Sequence, residues 1–78
     1  MKKYFLSFKD EKKVINKIRD FRLHAGLTQL ELGHLVGLSD EAISMYERQQ
    51  FQPSLHQIIK LLKVFNCSFE DLFVEEDV

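Results

Sequence analysis

Three histidines, one cysteine and the polar face of a short helix are where this 78-residue chain offers chemistry. His24, His34 and His56 have no second histidine four positions away and no cysteine close by, so the spacing that holds zinc is missing. The three glycines are too scattered to build a phosphate-cradling loop, and the acidic end lacks the spacing of a calcium loop. Serine, histidine and aspartate are all present, but no spacing joins them into a catalytic set. The expectation is no enzyme, no metal and no cofactor. Cys67 stands between Phe65 and Phe69 and reads as a small apolar residue. A lone cysteine forms no internal disulfide, which suits a reducing compartment. What remains is the stretch 40–48. At helical spacing Asp40, Glu41, Ser44, Met45 and Arg48 share one side, and Ile43, Tyr46 and Glu47 share the other. The first side carries donors and acceptors suited to recognition by hydrogen bonding. It suits equally well the solvated face of a plain helical bundle.

The elements that must position this face are punctuated by caps. Over 11–25, Val14, Ile15, Ile18, Phe21 and Ala25 form the stripe of an amphipathic helix, which Gly26 ends. Thr28-Gln29-Leu30-Glu31 is a capping box that opens a short helix with Leu30, Leu32 and Leu35 as its apolar positions, closed near Gly37. Ser39 caps a third helix that runs to about Arg48, and 49–53 is a loop. Ser54 with Gln57 forms a second capping box, and Leu55, Ile58, Ile59, Leu62 and Phe65 make the next stripe, closed by Asn66. Ser68 caps a last short helix whose Phe69, Leu72 and Phe73 seal the core. With no strand-like alternation, the fold class expected is all-α, a compact bundle of five helices.

Length allows one domain, which at this size buries roughly 60% of its unfolded surface. Apolar residues make up 45% of the chain and include seven Phe, enough for a small core. No apolar run approaches the roughly 18 residues of a membrane span. The opening Met1-Lys2-Lys3-Tyr4-Phe5-Leu6-Ser7-Phe8 has an apolar part too short for a signal peptide, so a soluble cytoplasmic protein is expected. The formal net charge of −1 hides an asymmetry. Residues 1–27 hold eight Lys or Arg against three Asp or Glu, whereas 70–78 hold five acids and no base. The chain without that tail is positive, which suits a nucleic-acid partner and equally suits two charged ends that are merely solvated.

Thr28 to Ser54 has the order of a helix-turn-helix: a helix of about eight residues, a turn at Gly37 and a second helix behind a serine cap. Arg19-Asp20-Phe21-Arg22, Gly26-Leu27-Thr28-Gln29, Leu32-Gly33, Gly37-Leu38-Ser39, Ile43-Ser44, Glu47-Arg48, Pro53-Ser54 and the closing Ser68 to Phe73 resemble the Xre family of phage-repressor-like DNA-binding domains. The resemblance spans about Ile15 to Phe73 without a gap. It implies a phage-repressor-like fold and a role for individual residues. Gln29 would hydrogen-bond a phosphate, Ser39 would join the DNA-binding set at the tip of the helix it caps, and Asp40, Glu41, Ala42 and Met45 would approach base edges. Ser44, Arg48 and Gln50 would contact the backbone, and Arg22 and Glu47 would form a structural ion pair. The sequence departs from the family pattern at Gly33, where Ala is usual, at Gln49, where Gly is usual, and in the acidic pair Asp40-Glu41.

The function expected is a sequence-specific DNA-binding transcriptional regulator, a repressor-like homodimer on an inverted-repeat operator. The alternative is a protein-binding adaptor or antitoxin-like module, for which the acidic pair speaks. The partners expected are double-stranded DNA, a second copy and a regulatory protein, with no membrane. Residues 1–13 are expected as an N-terminal extension, either packed or an arm. Residues 14–74 are expected as the helix-turn-helix domain, and 75–78 as an acidic tail.

Overall fold

The computed structural model describes residues 12–77, as a two-stranded antiparallel sheet and five helices. Strand β1 (Lys12–Asn16) leads into α1 (Ile18–His24), α2 (Gln29–Val36), α3 (Asp40–Glu47), α4 (Leu55–Phe65), α5 (Phe69–Leu72) and β2 (Phe73–Asp77). The expectations for Tyr4, Phe5, Leu6 and Phe8 fall outside the described residues.

The sheet corrects two expectations, the all-α class and the long first helix over 11–25. Lys12–Asn16 is extended and pairs with β2 in the register Lys12 with Asp77, Ile15 with Val74 and Asn16 with Phe73. Val14 and Ile15 are β-branched, which favours the pleated backbone. The partner that selects this state lies more than fifty positions away (Asn16 with Phe73). A helical stripe counted along the sequence does not register such a partner. The ladder therefore joins residues on either side of positions 13 and 75, the expected limits of extension and tail.

Asn16 ends the strand and is buried. Its Oδ1 accepts from the Ile18 amide (3.1 Å), and its Nδ2 donates to the Tyr46 carbonyl (2.9 Å). Four helices end alike, with an amide bonded back five residues: Leu27 to Arg22, Leu38 to Gly33, Gln50 to Met45 and Cys67 to Leu62. The left-handed residue in these turns is Gly26, Gly37, Gln49 and Asn66 respectively. Gln49, at φ 62°, holds a conformation that costs a side-chain-bearing residue about 1–2 kcal/mol. Its amide offsets this by bonding both backbone groups of Asn16, accepting from the N–H and donating to the C=O, each at 3.1 Å.

The core is Ile18, Leu32, Val36, Ile43, Leu61, Leu72 and Phe73, ringed by Phe21, Leu27, Leu38, Tyr46, Ile58, Leu62 and Phe65. Leu61 is fully buried although the expected stripe on α4 passed it by, while Leu55 and Ile59 of that stripe are exposed. Leu30 and Leu35 of α2 and Phe69 of α5 also stand half in solvent. On a helix this short the buried arc is narrow, and leucines at its margin face outward.

Candidate nucleic-acid interface

The turn between α2 and α3 is set by two close approaches. Gly37 takes φ 77°, and a Cβ on Gly33 would collide with the Leu38 carbonyl oxygen. Gly33 thus lets the chain after the turn pass directly over α2. At the start of α2 the capping box is complete: Thr28 Oγ1 accepts from the Glu31 amide (3.0 Å), and Glu31 Oε1 accepts from the Thr28 amide (2.8 Å). Ser39 Oγ accepts from the Ala42 amide (3.1 Å) and fixes the first turn of α3. The Ser54 hydroxyl caps α4 by accepting from the Gln57 amide, but Gln57 does not bond back, so this is a single cap and not the expected box.

A charged cluster ties α1, α2 and α3 together. Arg22 Nε donates to Glu47 Oε2 at 2.6 Å, and its Nη2 donates to Glu47 Oε1 at 3.1 Å. The two side chains are only 11% and 4% exposed. The hydrogen bond to Glu47 raises the Arg22 pKa above its ordinary value, against the effect of burial. Arg22 Nη1 also donates to the Leu27 carbonyl. Gln29 Nε2 donates to the shared oxygen Glu47 Oε1 at 3.1 Å. That bond uses one of the two protons of the Gln29 side-chain amide.

Arg19, Arg22, Gln29, Ser44, Glu47 and Arg48 line one concavity of about 290 Å³. The structure therefore gathers Gln29, Ser44 and Arg48 around the ion pair. It adds Arg19, which the sequence reading did not single out. The signal available was its i, i+3 spacing to Arg22. Asp40 and Glu41 are exposed in the first turn of α3, where the helix dipole favours acids, while Ala42 and Met45 are half-buried. Ser39 and Gln50 are exposed at the two ends of the helix. Ser39 spends its hydroxyl on the cap, and Gln50 gives its backbone N–H to the turn. Among the described residues no group of three His, Cys, Asp or Glu stands close enough to hold a metal, and no helix is long and apolar enough to cross a membrane.

Two helices joined by a tight turn, with a polar second helix braced by a buried ion pair, define a helix-turn-helix protein. A helix-turn-helix family model matches residues 18–72, and the chain belongs to this Xre-like family. An HTH-type transcriptional regulator of Archaeoglobus fulgidus is 43% identical over 61 residues, covering 78% of this chain and 87% of that protein. The Escherichia coli regulator PuuR is 33% identical over 61 residues, but they make up only 33% of its length. Among solved structures, the P22 c2 repressor in complex with a synthetic operator is 36% identical with a TM-score of 0.65, over 67% of this chain and 79% of the repressor. A Bacteroides fragilis protein at 24% identity and TM-score 0.73, covered completely by 80% of this chain, shares the fold.

Proposed function

We propose that the chain is a sequence-specific DNA-binding transcriptional regulator that sets the N-terminal half of α3 into the major groove. The observation that carries this reading is the Arg22–Glu47–Gln29 cluster. It holds the start of α2 to the end of α3 and surrounds a concavity with Arg19 and Arg48. A phosphate at that concavity would meet the free amide proton of Gln29 and two guanidinium groups, with Ser44 beside them. This fixes the register in which Asp40, Glu41, Ala42 and Met45 approach base edges. A carboxylate there accepts from cytosine N4 and is repelled by neighbouring phosphates, so the acidic pair favours selectivity over non-specific affinity. Gln50 serves the backbone beyond the helix end, and Ser39 serves as its cap.

The finer reading is a homodimer on an inverted repeat, with the two α3 helices about 34 Å apart. It is supported by the apolar side chains left exposed at and before the start of α4: Phe51, Leu55 (79%) and Ile59. No catalytic step belongs to this function, and a cytoplasmic location accords with it.

The test is selection of bound duplexes from a random DNA pool at low salt, followed by sequencing. A two-fold symmetric motif is the expected result. Absence of enrichment would overturn the reading in favour of the protein-binding adaptor for which Asp40-Glu41 speaks.

A further inference from the structure

The two edges of the small sheet are not equivalent. Along β1 the outward backbone groups are met by glutamine side chains of the loop after α3. Gln49 bonds the N–H and C=O of Asn16, and Gln52 Nε2 donates to the Val14 carbonyl (3.4 Å). The Lys17 amide turns the other way, to the Leu72 carbonyl. Backbone direction alternates along a strand, so Ile15 and Lys13 face β2 and exchange bonds with Val74 and Glu76. On β2 the groups of Glu75 and Asp77 then point away from β1. Phe73 spends its amide on the Phe69 carbonyl, and no described residue takes up the Glu75 and Asp77 groups.

Beside this edge lies a groove of about 550 Å³ lined by Val14, Phe69, Phe73, Val74, Glu70 and Glu75. Its floor is apolar. Phe69 stacks on Phe73 at 4.9 Å, and Phe69 and Val14 are 49% and 44% exposed. Its rim is acidic, with Glu70 and Glu75 on it and Glu76 and Asp77 continuing the strand. Of these, Asp77 is paired with Lys12.

We propose that the outer edge of β2 takes up an extended basic segment of a partner protein as a third strand, with one large apolar side chain of that segment in the groove. Main-chain bonds to Glu75 and Asp77 supply the pairing, the groove over Phe69 and Phe73 selects the anchor, and the acidic rim selects lysine or arginine around it. This surface is separate from the α2–α3 concavity, so the inference stands or falls independently of DNA binding.

The test uses the full chain without DNA. The probe is a short peptide with a central phenylalanine flanked by valines and lysines, titrated into labelled protein and followed by amide NMR. The expected result is a shift of the Glu75 and Asp77 amides and slower hydrogen exchange at both. A peptide with glutamates in place of the lysines should leave them unmoved. Glu75→Lys, checked for an unchanged spectrum of α2 and α3, should weaken binding about fivefold or more. Four outcomes would overturn the proposal: equal binding of the acidic peptide; shifts confined to other elements; protection of these two amides before peptide is added, as occupation by residues 1–11 would give; and concentration-dependent protection from a second copy.

Discussion

At the scale of single residues, Glu47 is the point where three helices meet. It is the common acceptor for Arg22 and Gln29, and its side chain is almost completely buried. Replacing it by alanine leaves the Arg22 guanidinium with only the Leu27 carbonyl. Glu47→Ala is therefore expected to lower the free energy of unfolding by about 3–5 kcal/mol, measured by urea denaturation. The phosphate role proposed for Gln29 and the base-edge role proposed for Glu41 can be told apart by substitution. Gln29→Ala should weaken binding to all duplexes alike, because a phosphate contact carries no sequence information. Glu41→Ala should change the preferred sequence. Binding titrations of both variants against selected and scrambled duplexes distinguish these outcomes, and uniform loss in both would refute the assignment of Glu41 to base edges. The Arg22–Glu47 pair was readable from the resemblance, and the structure contains it. Sharing of one carboxylate oxygen by two donors was not readable, because it depends on the crossing of three helices.

At the scale of elements, the turn from α2 to α3 depends on glycine for a reason that helix propensity would misjudge. Alanine favours a helix interior over glycine by about 1 kcal/mol, so Gly33→Ala looks stabilising from sequence. The Leu38 carbonyl occupies the space of that methyl group, and backbone cannot rotate away as a flexible side chain does. The variant is expected to be less stable by about 1–3 kcal/mol in thermal or urea unfolding, and to bind DNA more weakly as α3 shifts. Helix α5 shows a different dependence. Asp71 Oδ2 accepts from the Ser68 amide at 3.1 Å, and this backbone bond, with a second contribution from the Ser68 side chain, lowers its pKa. A depressed carboxylate pKa stabilises the fold above its unfolded value of about 3.9, and the gain is lost as pH falls through the lower folded value. The protection factor of the Ser68 amide, referred to the intrinsic exchange rate at each pH, should accordingly fall at the acid end of a pH series, and Asp71→Asn should remove that dependence. The caps at Thr28, Ser39, Ser54 and Ser68 were legible because each is a contact within four residues.

At the scale of the molecule, the exposed apolar side chains Phe51, Leu55 and Ile59 follow α3 in the chain. If a second copy covers them, Leu55→Ser together with Ile59→Ser should leave the fold intact, since neither side chain contributes to the core. The same pair should shift the sedimentation profile to monomer and reduce affinity for a two-fold site far more than for a half-site. An unchanged profile would move the dimer contact to another surface.

By itself the sequence determined what depends on neighbours: helices punctuated by Gly26, Gly37 and Asn66, their serine and threonine caps, the turn that defines the motif and the order of polar and apolar sides on α3. Helix hydrogen bonds and caps span only a few positions, so their signals are local. Tertiary structure alone decided that Lys12–Asn16 is a strand, that Leu61 and not Leu55 or Ile59 enters the core, and that Gln49 and Gln52 seal one edge of the sheet. The pairing of β1 with β2 joins the two ends of the described chain. Which side of a helix is buried depends on what packs against it. Neither is written into any window of adjacent residues.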